Sequence, residues 1–393
     1  MFVYYFALAL TLGLAYPLLF HRPTQAKKIA YLAVIFAYLW FIATVRVNIG
    51  NDYHDYIRIF EEIRGFSGFT AIFQYEYEIG FTLLSKLMTF FVSDSVVMYG
   101  VYSLLILAPM GWFIYKYSPN PMLSVWLYLT LTFFLNVLNF VRQSLAVSVL
   151  VLGFHFLRQK KIPHFLVLVL VAATFHKTAL VMLPMVLLCW IPFNWKLTAA
   201  YAGGVLIAYL FSREILGVVT QYIYTYYQGL AYLEQGLDYA FVMIPMLVCL
   251  ACILLLPAWK KKSPIEANIL TNFMLYNAFI WLFITRHFIL ERFSMFVYVF
   301  VLVALPGALD CLKSSQEDRE QVAQWREKGI AADGTKAQKR QLAELQTRVK
   351  QNEQIYWGAI TIVLLLTFLY HQWGAAQNFH GVYPYQSFLE WLP

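Results

Sequence analysis

Residues 121–157 read PMLSVWLYLTLTFFLNVLNFVRQSLAVSVLVLGFHFL, 37 positions of nearly unbroken apolar character with Arg142 inside them. A helix crosses the hydrocarbon of a bilayer in about 20 residues. The stretch is therefore too long for one span and is expected to break near Asn136–Gln143. That reading places the chain among polytopic membrane proteins of the all-α class. Composition agrees: 61% of the residues are hydrophobic, 18% aromatic and only 13% charged, with a mean hydropathy of +0.61. A soluble chain of this size needs far more water-facing charge.

Further apolar runs lie at 2–20, 29–45, 95–115, 163–175, 177–192, 197–213, 238–257, 267–285, 289–309 and 355–373, giving about twelve helices within a range of 11–14. Arg22, Lys27 and Lys28 follow the first run and no positive residue precedes it, unlike a signal peptide. The first helix is therefore expected to start outside and end in the cytoplasm. Threaded that way, 20 of the 29 lysines and arginines fall in the cytoplasm, in keeping with the positive-inside bias. The positive balance reports this asymmetry and not nucleic-acid binding. Two breaks set the parity: the one in 121–157, and one at Phe175-His176-Lys177. Residues 79–92 are short and carry Lys86, so they read as a re-entrant or interfacial helix on the outer side.

Between the spans lie an outer-face loop at 47–94, a charged insert at 313–353 and an outer-face tail at 374–393. Tyr53, Tyr56, Phe60 and Ile63 share one face of a helix over 52–65, with Asp52 at its N-cap, expected to lie on the outer leaflet. The insert is rich in Glu, Gln, Lys, Arg and Ala and is split by Gly329 and Gly334. It reads as a cytoplasmic helical hairpin or a flexible linker. Cys189, Cys249, Cys252 and Cys311 lie in or beside apolar runs and read as small buried hydrophobes. No metal site, cofactor or nucleotide-binding glycine motif is expected.

Threading the charges gathers the polar residues at membrane depth. Arg46 ends the second span outside, Arg142 and Gln143 begin the fifth, and His176 sits in the 163–192 break. Arg286 and Arg292 flank the turn between spans ten and eleven. Ionisable groups at such depth are costly unless they face a shared polar cavity. Several guanidinium forks beside few carboxylates suit a diphosphate. Asp52, Glu78 and His176 are the candidates for proton transfer. Tyr56, Tyr77, Tyr224 and Tyr227 are candidates for stacking on sugar rings, although tyrosines also mark the membrane interface. Arg46 could equally anchor its helix end, and Asp52 could equally be a helix cap.

These residues resemble the EpsG family of Wzy-like polysaccharide polymerases. The likeness rests on an ordered set: Arg46 with Gly50-Asn51-Asp52 and Tyr56, then Tyr77-Glu78-Ile-Gly80-Phe. It continues with Arg142-Gln143-Ser-Leu-Ala146, Ala172-Ala-Thr-Phe-His176-Lys-Thr-Ala179, Arg292-Phe and Tyr383-Pro384-Tyr385. Gly50-Asn51-Asp52 stands where the family often has Gly-Thr-Asp, and the insert at 313–353 is foreign to the family core. The resemblance implies a GT-C-like integral membrane glycosyltransferase of the bacterial plasma (inner) membrane. Its substrate would be a polyprenyl-diphosphate-linked oligosaccharide, with undecaprenyl as the lipid and capsule, exopolysaccharide or O-antigen as the product. Flippase and chain-length regulator proteins would be partners. In these terms Arg142 and Arg286 or Arg292 hold the leaving diphosphate, Arg46 orients an anionic group, and Asp52, Glu78 or His176 is the base.

Three rivals share the features. A ligase uses the same donor, and a membrane acyltransferase also uses histidine and arginine, though from a cytoplasmic thioester. A transporter or flippase of lipid-linked sugars would show related halves, and no internal repeat is present.

Overall fold

The computed structural model describes residues 1–188, 190–222, 236, 239–259, 263–328 and 330–391, and these form helices throughout. Among the described residues seven helices are long and apolar enough to cross a membrane, or up to ten spans if each of three bent pairs is one crossing. The chain is a multi-pass membrane protein. The expected twelve would also require α9 (Ile162–Phe175) and the Lys177–Leu187 segment to cross. At 1.5 Å per residue, the 14 residues of α9 cover only about 21 Å of a hydrocarbon core about 30 Å thick.

The buried centre consists of α6 (Pro121–Thr130), α7 (Phe133–Asn139), α8 (Val141–Arg158) and α16 (Val301–Asp310). Around them stand α1 (Phe2–Ala15), α2 (Gln25–Thr44), α5 (Ser95–Tyr117), α11 (Trp195–Leu210), α13 (Tyr239–Trp259), α14 (Pro264–Ile284) and α19 (Lys336–Ala376). Their outward faces stay apolar, as at Leu206, Ile207, Leu365 and Leu369, because lipid and not water covers them. The expected interruption in 121–157 is present at Phe140. A second, unexpected one occurs at Thr132, whose φ of 67° turns α7 by 49° from α6. No glycine or proline marks either break.

The loop between α2 and α5 carries α3 (Tyr53–Arg64) and α4 (Ile79–Met88). The periodicity of α3 matches its expectation but its placement does not. The apolar stripe Tyr53, Tyr56, Ile59, Phe60 and Ile63 is buried in protein instead of lying on a leaflet. Tyr53 stacks on Tyr99 at 5.0 Å and Tyr56 meets Phe81 at 6.0 Å. Buried Lys86 of α4 donates to the carbonyl of Phe66 at 2.8 Å, placing a cation just beyond the negative end of α3. Gly80 lets α4 lie directly on the end of α9, since a Cβ there would stand 2.2 Å from Thr174 Oγ1.

Of the two readings of the insert, the hairpin is observed. α17 (Gln316–Glu327) folds beside the start of α19, with Arg348 3.5 Å from Asp318. A capping box of Thr335 and Gln338 starts α19, which then runs 41 residues without interruption from the insert into the bundle. Cys249 and Cys252 are buried and unoxidised, and Cys311 is half-buried; Cys189 lies outside the described residues.

Candidate active site

One end of the bundle gathers the charges. The turn before α3 is held on two sides. Gly50 adopts φ 94° with its α-carbon against Leu138 and Asn139, where a Cβ would stand 2.5 Å from the Leu138 carbonyl. The Asp52 amide donates to Asn139 Oδ1 at 3.1 Å. Asp52 occupies the N-cap position of α3, yet its side chain makes no cap hydrogen bond. Its carboxyl instead lies within the field of several ionisable neighbours. Burial raises it from the ordinary value, offset in part by Arg292 and then Arg142.

Glu78, at the start of α4, is the hub. Arg142 donates to Glu78 Oε2 at 2.6 Å, and the Lys177 amide donates to Oε1 at 3.2 Å. His176 Nδ1 stands 3.4 Å from the same Oε1. Burial alone would raise Glu78, but the His176 ring and the Arg142 charge outweigh it and bring it from 4.5 to about 2. Burial lowers the neighbouring His176, and Glu78 compensates only partly. The cluster thus holds a carboxylate, a guanidinium and a neutral imidazole near neutral pH.

A depressed carboxyl stabilises the fold above its unfolded value and loses that contribution as pH falls through the folded value. For Glu78 the shift corresponds to about 3 kcal/mol, present above pH 4.5 and fading toward about 2. Glu78→Gln is therefore expected to melt below the wild type at pH 7. The gap between the two melting curves is expected to close on acidification through that window.

Arg142 begins α8 immediately after the Phe140 break. Its amide reaches Tyr56 Oη at 3.4 Å, and its guanidinium lies 4.6 Å from the Tyr77 ring centre. Gln143 donates through Nε2 to the carbonyl of Arg292, in α15 (Glu291–Tyr298). The Arg292 guanidinium lies over Phe140 at 5.7 Å. His176 and Arg292 stand at one side of a cavity of about 490 Å³, whose remaining walls are mainly apolar: Val205, Leu216, Tyr276, Phe279 and Phe283 among them.

Asp52, Tyr56, Tyr77, Glu78, Arg142, Gln143, His176 and Arg292 are thus brought together. Two expected members take other partners. Arg46 is 1% exposed, lies 3.9 Å over the Tyr99 ring and donates to the carbonyl of Ala43. The flanking backbone joins residues 386–388 through Val47 and Val45. Arg46 therefore stiffens the end of α2. Arg286 donates to the Tyr209 carbonyl at 2.8 Å and lies 4.0 Å over that ring. That fastens it to the 73° bend between α11 and α12 (Ser212–Tyr222). Tyr224 and Tyr227 lie outside the described residues.

Sequence reasoning missed Asn139, Glu291 and His380. Asn139 was visible as a polar residue in an apolar run. Glu291 adjoins Arg292, but nothing marked it as half-buried beside His380. His380 precedes Tyr383-Pro384-Tyr385 by three positions, yet only the return of the tail shows where it goes.

The sequence model of the EpsG family matches residues 29–320, well over half of the chain. No curated protein matches, and no solved structure does.

Proposed function

The chain belongs to the EpsG family, which is associated with polysaccharide polymerase glycosyltransferases, and from that footing we propose that it extends lipid-linked polysaccharide. In this reading it joins polyprenyl-diphosphate-linked oligosaccharide repeat units on the outer face of a bacterial plasma membrane. The observation that carries the reading is one juxtaposition. A polar cluster of Asp52, Glu78, Arg142, His176 and Arg292 adjoins a largely apolar cavity of about 490 Å³. Such a cavity suits an isoprenoid, and two arginines beside it suit a diphosphate.

In the proposed reaction an acceptor hydroxyl attacks the anomeric carbon of the donor sugar. The bond from that carbon to the diphosphate breaks, and polyprenyl diphosphate leaves with the electron pair. Arg142 and Arg292 stabilise the charge that develops on the leaving group. Asp52 takes the hydroxyl proton. Among the three proton-transfer candidates it fits best, because burial raises it, whereas Glu78 is held ionised by its partners. Glu78 instead aims Arg142 and His176, and Tyr77 flanks the sugar path, whereas Tyr56, expected to stack on a sugar, is buried beneath the start of α8.

Purified protein supplied with a defined polyprenyl-diphosphate-linked repeat unit is expected to yield a ladder of longer glycans on a gel. Transfer of preformed polymer to a different acceptor, with no ladder, would show a ligase. Movement of the substrate across a vesicle membrane without any elongation would show a transporter.

A further inference from the structure

The proposed reaction leaves the opposite end of the bundle unused. Lys28 lies near the start of α2, whose 20 residues put about 30 Å between its two ends. There a second cavity, of about 640 Å³, forms where three parts of the chain meet. The end of the first span contributes Phe20, the turn between α5 and α6 contributes Asn120, and the insert contributes Arg319 and Glu353. Glu353, Tyr356 and Trp357 close one side and lie beyond the residues matched by the family model.

The lining is cationic. Lys28, Lys313 and Arg319 face it, with Glu353 as its carboxylate. Lys313 is held by Asp310 at 3.0 Å and lies 4.3 Å over the Tyr356 ring. Tyr356 is fixed in turn by Asn120, whose Nδ2 donates to its Oη at 2.9 Å. Lys28 donates to the Ser118 carbonyl at 3.4 Å and lies 5.3 Å over the Tyr115 ring. Among the described residues neither Lys28 nor Arg319 forms an ion pair, and Arg319 and Glu353 are exposed. Counting Asp310, three cations meet two carboxylates, which leaves one positive charge in excess. The amino-terminal ends of α2 and α6, capped by Thr24 and Asn120, add to the positive field. The other side of the cavity belongs to lipid. Phe20 and Trp357 are 43% and 44% exposed and pair edge-to-face at 5.4 Å.

We propose that this cavity holds the headgroup of an acidic phospholipid and that the lipid fastens the insert to the bundle. The proposal does not depend on the polymerase reading. Cations at one side and lipid-facing rings at the other suit an amphiphile with phosphate oxygens at its polar end. A phosphodiester carries one negative charge, matching the excess, whereas a free phosphate monoester carries about 1.5–2 at neutral pH. Lys28 of α2 and Arg319 of α17 reach the same phosphate from two sides, so one lipid ties two segments together. Phe20 and Trp357 pack on the first carbons of its chains.

The test places full-length protein in phosphatidylcholine nanodiscs with a rising fraction of brominated phosphatidylglycerol, which quenches nearby tryptophan. The Trp357 signal is the difference from the same protein carrying Trp357→Phe. Half-quenching is expected at a low fraction of the acidic lipid in the wild type. In Lys28→Gln/Arg319→Gln it is expected at a fraction about thirtyfold higher, each cation near an anionic headgroup being worth about fivefold. Glu353→Gln removes a repelling carboxylate and is expected to shift the midpoint about fivefold the other way, which a misfolded protein would not do. Equal melting temperatures in phosphatidylcholine alone check that the variants fold. Midpoints that stay unmoved in both variants, or equal quenching by brominated phosphatidylcholine, mark ordinary boundary lipid and overturn the proposal. Displacement of the brominated lipid by millimolar inorganic phosphate assigns the site to free phosphate and also overturns it.

Discussion

Arg142→Ala is expected to lower the rate of glycan elongation by about 10²–10³-fold, the usual loss when one preorganised donor to a developing anion is removed. Arg142 has two tasks that must be separated. It stands in the polar cluster as the proposed donor to the leaving group, and it neutralises Glu78 at 2.6 Å, with side-chain exposures of 25% and 9%. Alanine leaves Glu78 buried without its partner, and breaking a buried pair costs about 3–5 kcal/mol. Quarter exposure of the arginine places this case toward the lower end. The double variant Arg142→Ala/Glu78→Gln removes the orphaned charge, so it is expected to recover melting temperature but not elongation. Arg142→Lys keeps the charge but loses the two-pronged fork, and is expected to fall between alanine and wild type. Wild-type elongation by a well-folded double variant would falsify the assignment of Arg142 to the leaving group.

Asp52→Asn is expected to reduce elongation by about 10²–10⁴-fold, the range contributed by a positioned general base. Because the Asp52 side chain makes no cap hydrogen bond, this loss is not expected to come from unfolding. The sign for stability is the opposite of that at Glu78. Burial raises Asp52 above the ordinary 3.8, so its ionised form disfavours folding at neutral pH. Asp52→Asn removes that burden and is expected to melt at or above the wild-type temperature. Activity requires the carboxylate and is lost as pH falls through the folded value, so the acidic limb of the wild-type profile is expected above the ordinary aspartate range. A stable Asp52→Asn protein that elongates at the wild-type rate would move the base elsewhere, with His176 next in line.

Much of this arrangement is legible in the chain because the bilayer makes polar residues conspicuous. Arg142 stands out in 37 otherwise apolar positions, and His176 marks a break because the run around it is too long for one crossing. The same logic overreached with Arg46 and Arg286. Both sit at helix ends, as Arg142 and Arg292 do, but one turns onto Tyr99 and the other onto Tyr209. A cation's depth in the sequence pattern does not reveal whether an aromatic ring or a shared cavity will receive it. Helix α3 shows the same limit, since an amphipathic stripe packs equally well against lipid or against protein.

The sequence by itself determined the membrane class, the helical architecture, the family and the cations and acids from which a site could be assembled. These follow from hydropathy, run length and the cost of charge in hydrocarbon, all local properties. Tertiary structure decided which of those groups meet. It brought Arg142 and Arg292 into one polar cluster while turning Arg46 and Arg286 onto aromatic rings, gave Asp52 and Glu78 different partners, and carried His380 back from the end of the chain. The reason is physical: a side chain's surroundings depend on contacts between segments hundreds of residues apart, as between His380 and Asn51, which no local pattern encodes.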